Sequence, residues 1–209
     1  MIKIIIADDH AIVRKGLKQF ILRDMPTAKI TEVDNGNALL KEVRGSKFDI
    51  VISDVSMPGR SGLEALKQLK EEFPKLPVLI LTMHPEEQYA LRVLKAGASG
   101  YISKDCAPDE MVKAVRQILN GRKYITASIA ERLTETLGGD FSEAPHEKLS
   151  DREFEVLKLI GSGKTVSEIG EILSLSSNTI STYRLRILEK MNLRTNAELI
   201  HYVVENKLT

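Results

Sequence analysis

Apolar positions fall into two alternating rhythms in the first part of the chain and a single rhythm in the last part. Unbroken runs of strand length, Ile2-Lys3-Ile4-Ile5-Ile6-Ala7, Asp49 to Asp54, Val78 to Thr82 and Gly100 to Ser103, predict strands buried on both faces. Ala28 to Asp34 alternates and predicts one more strand. Between them, helical spacing runs over Ala11–Leu22, Asn37–Val43, Gly62–Phe73, Glu86–Ala96 and Pro108–Asn120. Pro74, Pro77, Gly97 and Gly121 supply the stops. Five βα units with short connections predict a doubly wound parallel sheet.

From Arg122 to Lys148 the pattern weakens. Ala127 to Leu137 can form a short helix with Ile129, Leu133 and Leu137 on one face, and Gly138-Gly139-Asp140 reads as a hinge. Residues 149–209 are helical throughout. Ser150 with Glu153, and Thr165 with Glu168, make capping boxes. Leu175 to Asn178 is the turn before a third helix, and Thr195-Asn196 opens a fourth.

Length and charge add limits. A chain of 209 residues suits two domains. Net charge is +1, so no overall basic field announces a nucleic-acid partner. A single cysteine, Cys106, forms no internal disulfide and fits a reducing cytoplasm as a small inert residue. The first apolar run is too short for a signal peptide, and no stretch approaches the roughly 20 apolar residues of a membrane span. A cytoplasmic protein without a membrane partner is expected.

The polar residues at the strand ends carry the chemistry. Asp8 and Asp9 follow the first run, Asp54 and Thr82 end the third and fourth strands, and Lys104 follows the fifth. In an open parallel sheet these ends converge on one edge. Clustered carboxylates repel one another unless a cation joins them, and oxygen ligands suit Mg²⁺. A hydroxyl and an ammonium beside them suit phosphoryl oxygens. The expectation is a site that takes a phosphoryl group on a carboxylate with Mg²⁺ present. The first βα turn, Asp8-Asp9-His10, has no glycine cradle, which counts against a nucleotide or flavin enzyme.

The stretch Asp54-Val55-Ser56-Met57-Pro58-Gly59-Arg60-Ser61-Gly62, taken with those strand-end residues, resembles the receiver domain of two-component response regulators. Leu149-Ser150-Asp151-Arg152-Glu153 and Ser176-Ser177-Asn178-Thr179-Ile180 resemble the DNA-binding domain of the NarL/FixJ (LuxR-type) branch. The resemblance implies a flavodoxin-like (βα)5 receiver over 1–121 with strand order 2-1-3-4-5, a linker over 122–148, and a four-helix all-α helix-turn-helix domain over 149–209. It implies that Asp54 is the phosphoacceptor. It implies Mg²⁺ held by Asp9, Asp54 and the Ser56 carbonyl, with Asp8 acting through water. Lys104 pairs with the phosphoryl group or, before phosphorylation, with Asp54, and Thr82 with Tyr101 forms the switch.

The implied donor is a sensor histidine kinase, and the implied output is a homodimer on a double-stranded DNA operator. The chain would be no enzyme beyond its own phosphoryl acceptance and hydrolysis. The alternative is a constitutive DNA-binding regulator whose receiver works without phosphorylation. The hinge suits inhibition by the unphosphorylated receiver. Asn178, Thr179, Ser181, Thr182, Tyr183, Arg184, Arg186 and Lys190 are the expected DNA-facing residues, with Ile180, Leu185 and Leu188 forming that helix's apolar face. Leu199, Tyr202 and Val203 are the expected dimer contacts. Four departures from the family pattern stand out. Asp105 replaces a proline that often follows the lysine in a cis bond. Met83 replaces a small residue and would narrow access. Ser56 and His84 sit where they would tune hydrolysis. Ser181 and Tyr183 replace a lysine and a histidine.

Overall fold

The computed structural model describes residues 1–83, 86–131, 144–206 and 208, the side chains of 86–88 excepted. His84, and the hinge and most of the linker helix expected after residue 131, lie outside the described residues. The chain divides into two compact units, Met1–Leu137 and Gly138–Thr209.

The first unit is a five-stranded parallel sheet, order β2-β1-β3-β4-β5. Its strands are β1 (Lys3–Ala7), β2 (Lys29–Val33), β3 (Ile50–Ser53), β4 (Val78–Thr82) and β5 (Gly100–Ser103). Its helices are α1 (Ala11–Asp24), α2 (Gly36–Gly45), α3 (Gly62–Glu72), α4 (Glu86–Lys95) and α5 (Pro108–Leu119). The fold is flavodoxin-like, in the order the family resemblance implied.

The central strands β3 and β4 are buried along their whole length, as continuous apolar runs require. One side of the sheet packs Ile4, Ile6, Ile50, Ile52, Leu79 and Leu81 against Leu17 and Ile21 of α1 and Met111, Val115 and Ile118 of α5. Residues counted with the linker join this unit. Tyr124 bridges to Gly100, donates its N–H to the Ser99 carbonyl at 2.8 Å, and sends its hydroxyl to Glu110 at 2.9 Å. Residues 127–131 are helical and Ile129 is buried.

The second unit is helical: α6 (Asp151–Gly161), α7 (Val166–Leu173), α8 (Ser177–Met191) and α9 (Asn196–Glu205), preceded by a 3₁₀ turn, Pro145–Lys148. Both expected capping boxes are present, and Thr195 with Glu198 adds a third on α9. The core gathers Phe154, Leu157, Ile169, Ile180, Ile187, Leu199 and Val203. Gly161 admits α9, because a Cβ there would overlap Val203. The 3₁₀ turn is fixed by His146, whose Nδ1 lies 2.8 Å from the Tyr202 hydroxyl and whose ring stacks on Phe154. Among the described residues no helix is long and apolar enough to cross a membrane.

On α6, burial holds the Lys158 ammonium down to about 8, with Glu155 opposing. The unfolded chain therefore keeps a proton between pH 8 and 10.5 that the folded unit has released, so stability rises across that window. Lys158→Met is expected to be more stable than wild type below this window, and the advantage should shrink as pH rises through it. Denaturant unfolding of both proteins across the window checks this; a constant difference would contradict it.

Candidate functional site

The sheet brings Asp8, Asp54, Thr82 and Lys104 to one edge because each follows or ends a neighbouring strand. Backbone bonds continue the ladder into the site. Asp54 N–H donates to the Ala7 carbonyl (2.8 Å), Lys104 N–H to the Thr82 carbonyl (2.8 Å) and Asp8 N–H to the Val33 carbonyl (3.2 Å). Asp8, Asp54 and Thr82 are buried, at 1 %, 4 % and 1 % exposure.

The Lys104 ammonium lies between two carboxylates. It donates to Asp54 Oδ2 at 2.8 Å and stands 2.6 Å from Asp8 Oδ2. The second contact is a close, buried ion pair. The pairing with Asp8 was not foreseen; only the convergence of strand ends could have signalled it. Burial is the largest influence on both partners. It raises the Asp54 carboxyl above its usual range, with Lys104 opposing and Asp8 assisting. It pulls the Lys104 ammonium down, but contacts to Asp54 and Asp8 outweigh it and leave that group raised.

Asp54 Oδ1 is buried without a hydrogen-bond partner among the described residues. Asp9 is more open, its carboxylate 31 % exposed and 2.7 Å from His10 Nδ1. Ligand atoms of Asp8, Asp9, His10 and Asp54 all lie within 4.8 Å of one another. An orphaned carboxylate oxygen among hard oxygen donors fits a small divalent cation. Ser56 is half-buried on the loop after β3, and Tyr101 of β5 is buried at 1 %.

Gly62 allows the loop to return. Its N–H donates to the Val55 carbonyl at 2.8 Å, and an added Cβ would collide with the Asp54 carbonyl oxygen. Ser61 then caps α3. Beside the site, Met83 is 61 % exposed and, with Cys106, lines a groove of about 430 Å³ that reaches Lys104. Burial, then Glu110 and Asp105, push the Cys106 thiol up, in keeping with an inert residue. No peptide bond among the described residues is cis, Lys104–Asp105 included.

In the helical unit, α7 and α8 form the helix-turn-helix. Ser174 adopts the left-handed conformation, Leu175 N–H donates to the Gly170 carbonyl (2.8 Å), and Ser176 caps α8 by accepting from Thr179 N–H (3.1 Å). The core face of α8 is Ile180, Ile187, Leu188 and Met191. Leu185 does not belong to it and is 60 % exposed, a correction. Five residues beyond Ile180 is about 140° round a helix, so the expected stripe was out of phase there.

Of the expected DNA-facing residues, Asn178, Thr182, Arg186 and Lys190 are exposed; Thr179, Ser181, Tyr183 and Arg184 are half-buried. Two cations are engaged within the unit: Arg184 donates to Asn196 Oδ1 at 3.0 Å, and Lys190 to the buried Glu153 at 2.6 Å. Two of the three expected dimer contacts lie inside the unit. Leu199 and Val203 are fully buried in their own unit, and Tyr202 is half-buried against His146, so the first two offer no surface to a second copy. The outer side of α9 carries Ile200 and Val204 instead.

Comparison with known proteins agrees with both units. Residues 4–116 match the response regulator receiver domain, and residues 147–203 match the bacterial regulatory proteins of the luxR family. A receiver joined to such a helical domain defines a class of signalling regulator. The chain belongs to the NarL/FixJ family of two-component response regulators. Response regulator UvrY of Escherichia coli K12 is 36 % identical over 210 residues, covering 100 % of this chain and 96 % of that one. Response regulator GacA of Pseudomonas aeruginosa is 36 % identical, covering 95 % and 94 %. RcsB of Salmonella enterica serovar Typhimurium, solved bound to promoter rprA with a phosphomimetic, aligns with TM-score 0.65 at 27 % identity, covering 98 % and 99 %.

Two substitutions check the packing around these sites. Gly62→Ala is expected to cost about 1–3 kcal/mol in urea unfolding of the first unit, because the Asp54 carbonyl must shift; an unchanged midpoint would refute the close approach. Lys190→Met leaves the buried Glu153 carboxylate without its cation, and a loss of about 1–3 kcal/mol is expected in the helical unit. Equal stability of that variant by thermal melting would show that water replaces the lysine.

Proposed function

We propose that the chain is a transcriptional regulator switched by phosphorylation of Asp54. The observation that carries this is the arrangement of that carboxylate: Oδ2 is held by Lys104, while the buried Oδ1 has no hydrogen-bond partner among the described residues. A carboxylate fixed through one oxygen presents the other to an incoming phosphorus. The donor is a phosphohistidine of a sensor kinase. Oδ1 attacks phosphorus, the P–N bond breaks, and an acyl phosphate forms.

Asp9, Asp54 and the Ser56 carbonyl would hold Mg²⁺, with Asp8 beside them. When bound, the ion neutralises phosphoryl charge during transfer. Lys104 then turns its ammonium toward the phosphoryl oxygens and Thr82 donates its hydroxyl to them. The acyl phosphate adds about −1.5 to −2 charge at neutral pH. Movement of Thr82 repacks Tyr101 behind it, and the altered face drives homodimerisation. The dimer binds double-stranded DNA through α8; from Arg184 in that helix to Arg194 in the turn after it, the chain holds four cations against Glu189. Self-phosphorylation and hydrolysis of the acyl phosphate are the only reactions the chain promotes. The half-buried acidic cluster and the complete set of strand-end residues support this reading over a constitutive regulator.

Acetyl phosphate with Mg²⁺ is expected to introduce one acid-labile phosphoryl group into wild type and none into Asp54→Asn, while circular dichroism of the variant stays native. Undiminished labelling of the variant would exclude Asp54 as the acceptor.

A further inference from the structure

The outward stripe of α8 is built from residues that do not hold the unit together. Asn178, Thr182, Leu185, Arg186 and Glu189 are exposed, on the side opposite Ile180, Ile187, Leu188 and Met191. At its centre stands an aliphatic side chain, Leu185, at 60 % exposure. One turn earlier, the Thr182 hydroxyl donates back to the Asn178 carbonyl at 3.0 Å. That bond occupies the side chain's only donor, leaving its methyl and the hydroxyl's acceptor lone pairs for any partner. Residues three apart on a helix are neighbours, so the two apolar groups form one patch. Two cations of the helix have partners within the unit, Arg184 with Asn196 and Lys190 with Glu153. Arg186 flanks the patch and is exposed.

Leu185 stands at the centre of this outward stripe and, at 60 % exposure, is free to contact a partner laid along the helix. A recognition helix lies in the major groove, where the only apolar feature a base edge presents is the C5-methyl of thymine. We infer that Leu185 and the Thr182 methyl read thymine methyl groups, so that the central part of each half-site is specified by A·T pairs recognised through hydrophobic contact, not by guanine. Arg186 contributes the adjoining phosphate contact. This inference rests on α8 being the DNA-reading helix.

The test removes single methyl groups from DNA. Duplexes selected from a random library by the full-length, phosphorylated protein are resynthesised with uracil in place of thymine, one position at a time, and titrated by fluorescence anisotropy. One or two positions in each half-site should lose about fourfold in affinity, the value of one buried methyl. At the position facing residue 185, Leu185→Ala should bind thymine and uracil duplexes equally, while 5-methylcytosine in place of cytosine has no effect outside that position. Leu185 is exposed, so the variant keeps its fold, which a thermal melt verifies. Uracil duplexes that all bind as tightly as the parent, or an alanine variant with undiminished sensitivity to uracil, would overturn the inference while leaving DNA binding intact. Failure to select any preferred sequence would instead remove the DNA-reading role of α8, and this inference with it.

Discussion

The ammonium of Lys104, buried between Asp8 and Asp54, is the interaction on which the receiver site depends. Side-chain exposures of 8 %, 2 % and 4 % leave these three groups little water. Two carboxylates in such a place would repel each other and the backbone ends that carry them. One cation resolves most of that repulsion, yet the site with Asp9 still carries net negative charge. The residual charge gives a divalent ion its reason to bind, and the single lysine leaves one Asp54 oxygen uncommitted. Stability and reactivity thus come from the same imbalance. Breaking a buried pair by removing one partner costs more than the pair itself contributes, which ties the order of β1, β3 and β5 to this one side chain.

Most of the receiver was legible because strand-end chemistry and buried parallel strands leave strong local marks. A continuous apolar run as short as Val78 to Thr82 suits a strand covered on both faces, and in β1 and β3 the acidic residues follow such runs directly. Asp8 with Lys104 was not legible as a pair, since their approach depends on β1 and β5 meeting across the site through β3 and β4. The first unit also extends further than its motif suggests. Tyr124 pairs with Gly100 by backbone geometry that no side-chain pattern announces.

The helical unit was legible in its boundaries and less so in its faces. Capping boxes mark helix starts locally, and all of those expected are present. Which side of a helix turns inward is set by its partners. On α8, Leu185 looked like core by composition, but Ile187 and Met191 fill the positions in phase with Ile180. On α9, Leu199 and Val203 close the unit's own core, leaving Gly161 as the seat for Val203. Cations misled in the same way: Lys190 lies in a basic stretch, yet its ammonium neutralises a buried acid inside the capping box of α6.

The separation of faces on α8 has an evolutionary consequence. Residues that fix the turn and the core, Gly170, Ser176, Ile180 and Ile187, are distinct from those that point outward. Substitution at Asn178, Thr182, Leu185 or Arg186 therefore leaves folding nearly untouched. Duplicated copies of such a gene can drift in target preference one residue at a time without passing through an unfolded intermediate, and a single scaffold can populate a genome with regulators of separate gene sets.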